Sequence, residues 1–265
     1  LFSFSAIFLY HDHMKKKNIV ILGGTSGVGK AIAKSFNEDE ANVVIVGRSE
    51  TKAQAIISQA QAHIDFVGGD LTDLQAQKDV VNQIGRYVDH VDVLIDTFGV
   101  FPNTPQINIR QNLQVHAEII QLLIPLLAKS QQARLALVTG HQLAVKLSPI
   151  CERQGNTIER GIWEITHKTL LMTLLAAVLS SKNIMVNSFY PGEVQSELMN
   201  WTKNLSNQTV SVGRFLALSD TLDDVTGKMF DQFGQKISLP QPYHASNSKT
   251  ILAPYFRDST IIFFD

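Results

Sequence analysis

Cysteine is all but missing: the 265 residues hold one, Cys151. No intramolecular disulfide can form, and a metal site built on clustered thiolates is excluded, which leaves no metal site to expect. A lone thiol also fits a reducing, cytoplasmic setting. Charge is scarce and balanced, with 23 Lys+Arg against 24 Asp+Glu and a formal net charge of −1. There is no basic excess to recruit nucleic acid, and the one dense basic run, Lys15-Lys16-Lys17, stands directly before an apolar segment as a solvated strand start. The run from Leu1 to Tyr10 is shorter than the roughly 20 residues a membrane span needs, and its lysines follow it, the reverse of a secretory signal. Because the first methionine is Met14, residues 1–13 read as a leader, non-native or disordered, with a short membrane-surface anchor as the alternative. No repeat, low-complexity tract or linker divides the remainder, so 14–265 is expected to be a single domain around one large core.

Short apolar runs alternate with helical patterns. Strands are expected at Ile19–Leu22, Val43–Val46, Phe66–Val67, Val91–Ile95, Leu135–Val138 and Ile184–Phe189. Helices are expected near 27–39, 50–61, 73–88, 106–129 and 157–181, with further ones near 194–204 and 246–254. The order βαβαβα predicts an α/β fold of three layers, a doubly wound parallel sheet with helices on both faces. In such sheets ligands sit beyond the carboxyl ends of the strands, so the residues after each apolar run carry the interest.

After the first run comes Gly23-Gly24-Thr25-Ser26-Gly27-Val28-Gly29. Gly23 allows a tight turn, Gly27 lets backbone approach a pyrophosphate, and Gly29 allows close helix–strand packing; Thr25, Ser26 and Val28 complete the corner. The alternative is an ordinary tight strand–helix connection. Gly47-Arg48-Ser49 follows the second run, where an acidic residue would bind a ribose 2′-hydroxyl and an arginine can fork onto a 2′-phosphate. NADP(H) is therefore expected over NAD(H). Asp70-Leu71 follows the third run, placing Asp70 where an adenine would lie, unless it caps the next helix.

From Lys17 to about Phe230 these features resemble the short-chain dehydrogenase/reductase family in type and order. Asn112-Leu113-Gln114-Val115-His116, the run 122–127 and the segment 224–230 are similar to its retinol-dehydrogenase-like branch. The resemblance implies a Rossmann-type sheet and hydride transfer between NADP(H) and a carbonyl or alcohol. It places Gly99, Pro191, Gly192, Val194 and Ser196 around the nicotinamide, and residues 193–215 over a small apolar substrate. It also implies a homodimer or homotetramer paired through the helices 106–129 and 157–181.

The family's chemistry uses a serine, a tyrosine with a lysine four residues later, and an asparagine. The asparagine is present as Asn112. The serine position falls on Gly140, leaving Thr139 or His141 as nearby polar groups. No tyrosine occurs between Tyr87 and Tyr190. One register puts Trp163 and His167 at the tyrosine and lysine positions, another puts Glu164 and Lys168 there, and counting back from Val186-Asn187 puts Gly161 and Ile165 there. Glu164 and Lys168 share a helix face and could do acid–base work or form a plain i,i+4 ion pair; His167 could protonate an oxyanion. Asp96-Thr97-Phe98-Gly99 replaces the family's "NNAG". The expectation is an NADP(H)-dependent oxidoreductase with a non-standard proton donor among His141, Glu164, His167 and Lys168. The rivals are a catalytically inactive NADP(H) sensor or partner subunit, and a lyase or isomerase using the same cleft.

Overall fold

A computed structural model describes residues 16–147, 150–257 and 259–264; the leader expected at 1–13 lies outside them. In chain order the structure runs β1 (Lys17–Leu22), α1 (Gly27–Ala33), β2 (Ala41–Gly47), α2 (Glu50–Ile57), β3 (His63–Gly68), α3 (Leu74–Tyr87) and β4 (Val93–Asp96). It continues with α4 (Pro105–Ile109), a π-helical turn (Arg110–Gln114), α5 (Val115–Leu127), β5 (Ala133–Val138), α6 (Gln142–Leu147), α7 (Thr157–Leu179) and β6 (Ile184–Phe189). After these come α8 (Ser211–Leu218), β7 (Met229–Phe230), β8 (Lys236–Ile237) and α9 (Ala245–Leu252).

The strands form one sheet in the order β3-β2-β1-β4-β5-β6-β7-β8, parallel throughout except for the β7–β8 pair. The chain steps outward from β1 in one direction, then crosses back to β4 and steps outward in the other, so the sheet is doubly wound as expected. The reversal beside β1 is where such sheets open a crevice. Alternation along the strands splits the core in two. Val20, Leu22, Leu94, Leu135, Leu137 and Val186 face α3, α5 and α7. Ile19, Ile21, Ile45, Val93 and Phe189 face α1, α2 and α8.

The helix starts follow capping chemistry. Asp73 accepts from Ala76 N at 2.7 Å and Asn156 from Glu159 N at 2.9 Å, satisfying otherwise orphaned amides. Three expectations are corrected in detail. The first helix stops at Ala33 rather than 39. The helix expected over 106–129 is broken by the π turn at Arg110–Gln114. The helix expected near 194–204 is an irregular segment with one 3₁₀ turn at Thr202–Asn204, because the Thr202 hydroxyl bonds Ser196, Met199 and their backbone, pinning a loop instead. The segment Thr157–Lys182 is long and apolar enough to cross a membrane by composition, but 72% of its apolar window is buried inside the fold.

Candidate active site

The glycine corner is held by contacts that tolerate no side chain. Gly23 and Gly27 have φ of +76° and +49°, the left-handed region that favours glycine. A Cβ on Gly29 would lie 2.5 Å from both Gly23 O and Thr97 Oγ1. Thr97 donates its hydroxyl to Leu22 O at 2.6 Å and its N–H to the same oxygen at 3.0 Å. The loop is thus braced from β4. Thr25 fills the space above Gly47, where a Cβ would meet its hydroxyl at 2.4 Å. Ser26 precedes α1 without a capping bond.

Arg48 is exposed at the end of β2, and among the described residues no hydrogen bond or ion pair engages it. Ser49 is occupied as the cap of α2, accepting from Lys52 N at 3.3 Å. Asp70 accepts from the Thr72 N–H and hydroxyl at 3.0 and 2.9 Å. Those bonds, with Arg48 nearby, outweigh partial burial and hold its carboxyl below the usual range. Asp73, not Asp70, caps α3, and Leu71 is buried beneath the turn. The segment after β6 crosses back over this corner. Gly192 has φ +83°, Val194 is buried in the core, and Ser196 sits against Gly27, whose added Cβ would be 3.0 Å from Ser196 Cβ. Glu197 pairs with Lys52 of α2 at 2.6 Å.

At the end of β4 lies an ionisable pair with no access to water. Asp96 and His116 have fully buried side chains and meet at 2.6 Å through Oδ2 and Nδ1. Burial, helped by the Lys168 charge, keeps the His116 imidazole below its ordinary pKa against the pull of Asp96. This assigns the proton to Nδ1, which donates to the carboxylate. Burial works to raise Asp96, but the His116 contact, the Lys168 charge and the Phe98 N–H together lower it. Lys168 reaches this pair from α7 and stands 3.9 Å from Glu164. Burial pushes Glu164 up and Lys168 only partly offsets that.

Asn112 in the π turn clamps Val100, accepting from its N–H and donating to its carbonyl, both at 3.0 Å, and donates to Asn108 Oδ1. Gly99 lies beside it, a Cβ there coming within 4.0 Å of Asn112 Oδ1. At the end of β5 the Thr139 hydroxyl is buried with no hydrogen-bond partner among the described residues. Gly140 is filled from α7 by Ile165, whose Cδ1 would be 2.3 Å from a Cβ at 140. So α7 presents Ile165, not Glu164 or His167, to that strand end. His167 stacks on Trp163 at 4.0 Å, donates its Nδ1–H to the Trp163 carbonyl at 2.9 Å, and meets Tyr255 edge-on. Trp163 and His167 face the chain's C-terminal segment.

Sequence reasoning missed Tyr190. It follows β6 directly and packs against the core shared with α7, and His141, two residues beyond Thr139, packs its ring edge against it at 4.9 Å. Both line a cleft of about 490 Å³ with Pro191, Gly192, Gln232 and Phe233. Its signal was position alone, immediately before Pro191-Gly192. Burial, with Glu193 nearby, raises the Tyr190 phenol above its usual pKa and keeps it protonated. His141 Nδ1 accepts from Leu143 N at 3.1 Å, which leaves Nε2 carrying the proton.

Comparison with known proteins bears on the fold. Residues 17–140 match the family model for short chain dehydrogenases. An uncharacterized oxidoreductase of Staphylococcus epidermidis is 26% identical over 223 residues, covering 78% of this chain and 92% of that protein. Carbonyl reductase family member 4 of Xenopus laevis is 26% identical over 210 residues, covering 75% and 85%. Among solved structures, the Pseudomonas aeruginosa RhlG/NADP active-site complex superposes with a TM-score of 0.67 at 19% identity, covering 81% of this chain and 94% of that one. The oxidoreductase yciK from E. coli gives 0.66 at 19%, covering 83% and 96%. The match to the short chain dehydrogenase model covers the residues that run from β1 through the glycine corner to Gly140, just under half of the chain.

Proposed function

We propose that the protein binds NADP(H) in a cytoplasmic setting and reduces or oxidises a small carbonyl or alcohol of apolar character. The residues present fit the cofactor. The corner at Gly23, Gly27 and Gly29 has room for backbone only, and exposed Arg48 makes no hydrogen bond or ion pair among the described residues, with Asp70 as its nearby charge. That unengaged arginine beside an acid-free strand end is the observation that carries NADP(H) over NAD(H). When bound, NADP(H) supplies or accepts the hydride at the substrate carbon. The chain's own part is the proton. Tyr190 holds one on its phenol at the cleft, and His141 fixes the ring edge-on and offers Nε2–H beside it. A general acid in reach of the substrate oxygen is worth about 10²–10⁴-fold in rate. Phe233, exposed in the cleft lining, offers the apolar contact.

A second reading is binding without turnover. It is favoured by Gly140 and Ile165, which put hydrogen and hydrocarbon where the family resemblance puts hydroxyl and amine. The branch resemblance to retinol dehydrogenases bears only on substrate character. Titration with NADPH and NADH by nicotinamide fluorescence, followed by a panel of aldehydes, ketones and alcohols, separates the readings. Saturable NADPH binding with turnover supports the first, binding with none supports the second, and no binding at millimolar concentration overturns both.

A further inference from the structure

Among the described residues lining the cleft of Tyr190 and His141, Glu193 alone carries a formal charge, and it is negative. We infer that this cleft recognises an alkylammonium group, so that the carbonyl or alcohol taken there bears a cation. The inference rests on the reading of this cleft as the reacting end, and it adds a charge to the apolar substrate assigned there.

Glu193 is exposed and makes no ion pair among the described residues. Its loop is fastened: Asn207 donates its amide to Glu193 O at 3.1 Å, and Asn207 O accepts from Gln195 N at 2.8 Å. Burial, and then the Glu193 charge, raise the Tyr190 phenol, so the carboxylate stands within electrostatic reach of that ring. No lysine or arginine lines the cleft, and Lys236, in the strand beyond its rim, lines a separate cavity with Lys228 and Tyr243. A second carboxylate, Asp231, is buried behind the rim and is spent on main-chain amides. The local charge is therefore acidic without a counter-ion from the protein.

Two aromatic rings share the cleft with that charge. Phe233 is 76% exposed, yet its backbone is fixed at the tip of the β7–β8 turn. The Asp231 carboxylate accepts from Phe233 N and Gln235 N, both at 2.9 Å, and Gly234 takes φ of +79° to close the turn. Tyr190 is braced edge-on by His141. Ring faces attract a cation through their quadrupoles, and rings combined with a carboxylate are the chemistry that binds quaternary ammonium groups. A trimethylammonium head suits this cleft better than a bare amine, because its methyl shell lowers the cost of leaving water and meets the rings as hydrocarbon. The volume of about 490 Å³ is ample for such a head on a short carbonyl-bearing arm. An anionic substrate would instead meet Glu193 with no cation to offset it.

Ligand-observed NMR titration of the full chain, with and without NADP+, tests this using three alcohols: choline, its uncharged isostere 3,3-dimethylbutan-1-ol, and anionic 4-hydroxybutanoate. Choline should bind about fivefold more tightly than the isostere and at least about tenfold more tightly than the anion. Equal affinities, or no choline binding at about 50 mM, would overturn the inference. Glu193→Gln should reduce the choline-to-isostere ratio to about twofold or less, and Phe233→Leu, which keeps bulk but removes the ring face, should lower it by about twofold. A ratio that survives both variants would take the site away from these residues. Turnover of NADPH with trimethylammonioacetaldehyde and with 3,3-dimethylbutanal separates this inference from the reading beneath it. Turnover of both aldehydes with equal kcat/KM, and no choline preference in binding, refutes the cation site and leaves the carbonyl reading standing. Choline binding that Glu193→Gln abolishes, with neither aldehyde turned over, upholds the cation site and refutes the carbonyl reading.

Discussion

Replacing Gly29 by alanine should damage the cofactor corner, and the structure gives the size of the effect. The added methyl would sit 2.5 Å from Gly23 O and from Thr97 Oγ1, where real contacts stay above 3.0 Å. Neither neighbour can yield cheaply, since one is backbone and the other hydroxyl already brackets Leu22 O. The start of α1 must therefore retreat from β1 and β4. Overpacking of this kind costs about 1–3 kcal/mol, and the better helix propensity of alanine returns up to about 1 kcal/mol. A net loss of about 1–2 kcal/mol lowers Tm by roughly 2–8 °C in a domain of this size. Gly161→Ala is the matched control. It lies inside α7 with nothing within 4 Å of the added carbon, so the same substitution should stabilise by about 0.5–1 kcal/mol. Thermal unfolding and NADPH titration of the two variants read both consequences. If Gly29→Ala melts at or above the parent and binds NADPH equally well, the close packing assigned to the corner is wrong.

Three further outcomes are expected. Arg48→Leu should weaken NADPH binding about 10- to 100-fold, the worth of charge-assisted bonds at about 1.5–3 kcal/mol, and leave NADH binding unchanged; equal losses for both nucleotides would remove the 2′-phosphate role. Tyr190→Phe should lower turnover of any carbonyl substrate by about 10²-fold or more with the NADPH Kd unaltered, and a variant that keeps full turnover would clear Tyr190 of proton transfer. His116, held neutral by burial and Lys168, has a folded pKa below its unfolded value. The unfolded chain takes up a proton below about pH 6.5 that the folded chain refuses. This contribution to stability is present at neutral pH and drains away on acidification. Glu164, raised in the fold, acts with the opposite sign but is common to both proteins compared. The Tm of His116→Gln should thus fall less between pH 7 and 5.5 than that of the parent, whereas parallel slopes would mean that His116 titrates freely.

The parts of this molecule that a linear reading reaches are those encoded locally. Strand β1, the glycine turn and Arg48 sit within a few dozen residues, and each property follows from its own residue type and neighbours. The sheet's double winding follows from the alternation of short apolar runs with helices. The π turn at Arg110–Gln114 was hidden because Asn112 reaches backwards to Val100, a contact that apolar periodicity does not register. The segment around Leu198 and Trp201 carries a helix-like apolar spacing yet is looped, because a single hydroxyl, that of Thr202, binds both of its ends. The reacting end of the crevice was least legible. Whether Glu164, His167 or Ile165 faces β5 depends on the rotation of α7. That rotation is set by Tyr255 and Ser248, some 75 to 90 positions downstream. His141 and Tyr190 meet only because β5 and β6 are adjacent, with Thr139 N bonded to Phe189 O at 2.8 Å.

The proposed function joins a dinucleotide site selective for the 2′-phosphate, at Arg48, to proton chemistry moved to Tyr190 and His141. Titration of the purified protein with NADPH and NADH, followed by nicotinamide fluorescence, tests it most directly. Saturable NADPH binding at least tenfold tighter than NADH is the predicted result. No enhancement with either nucleotide at millimolar concentration would contradict it.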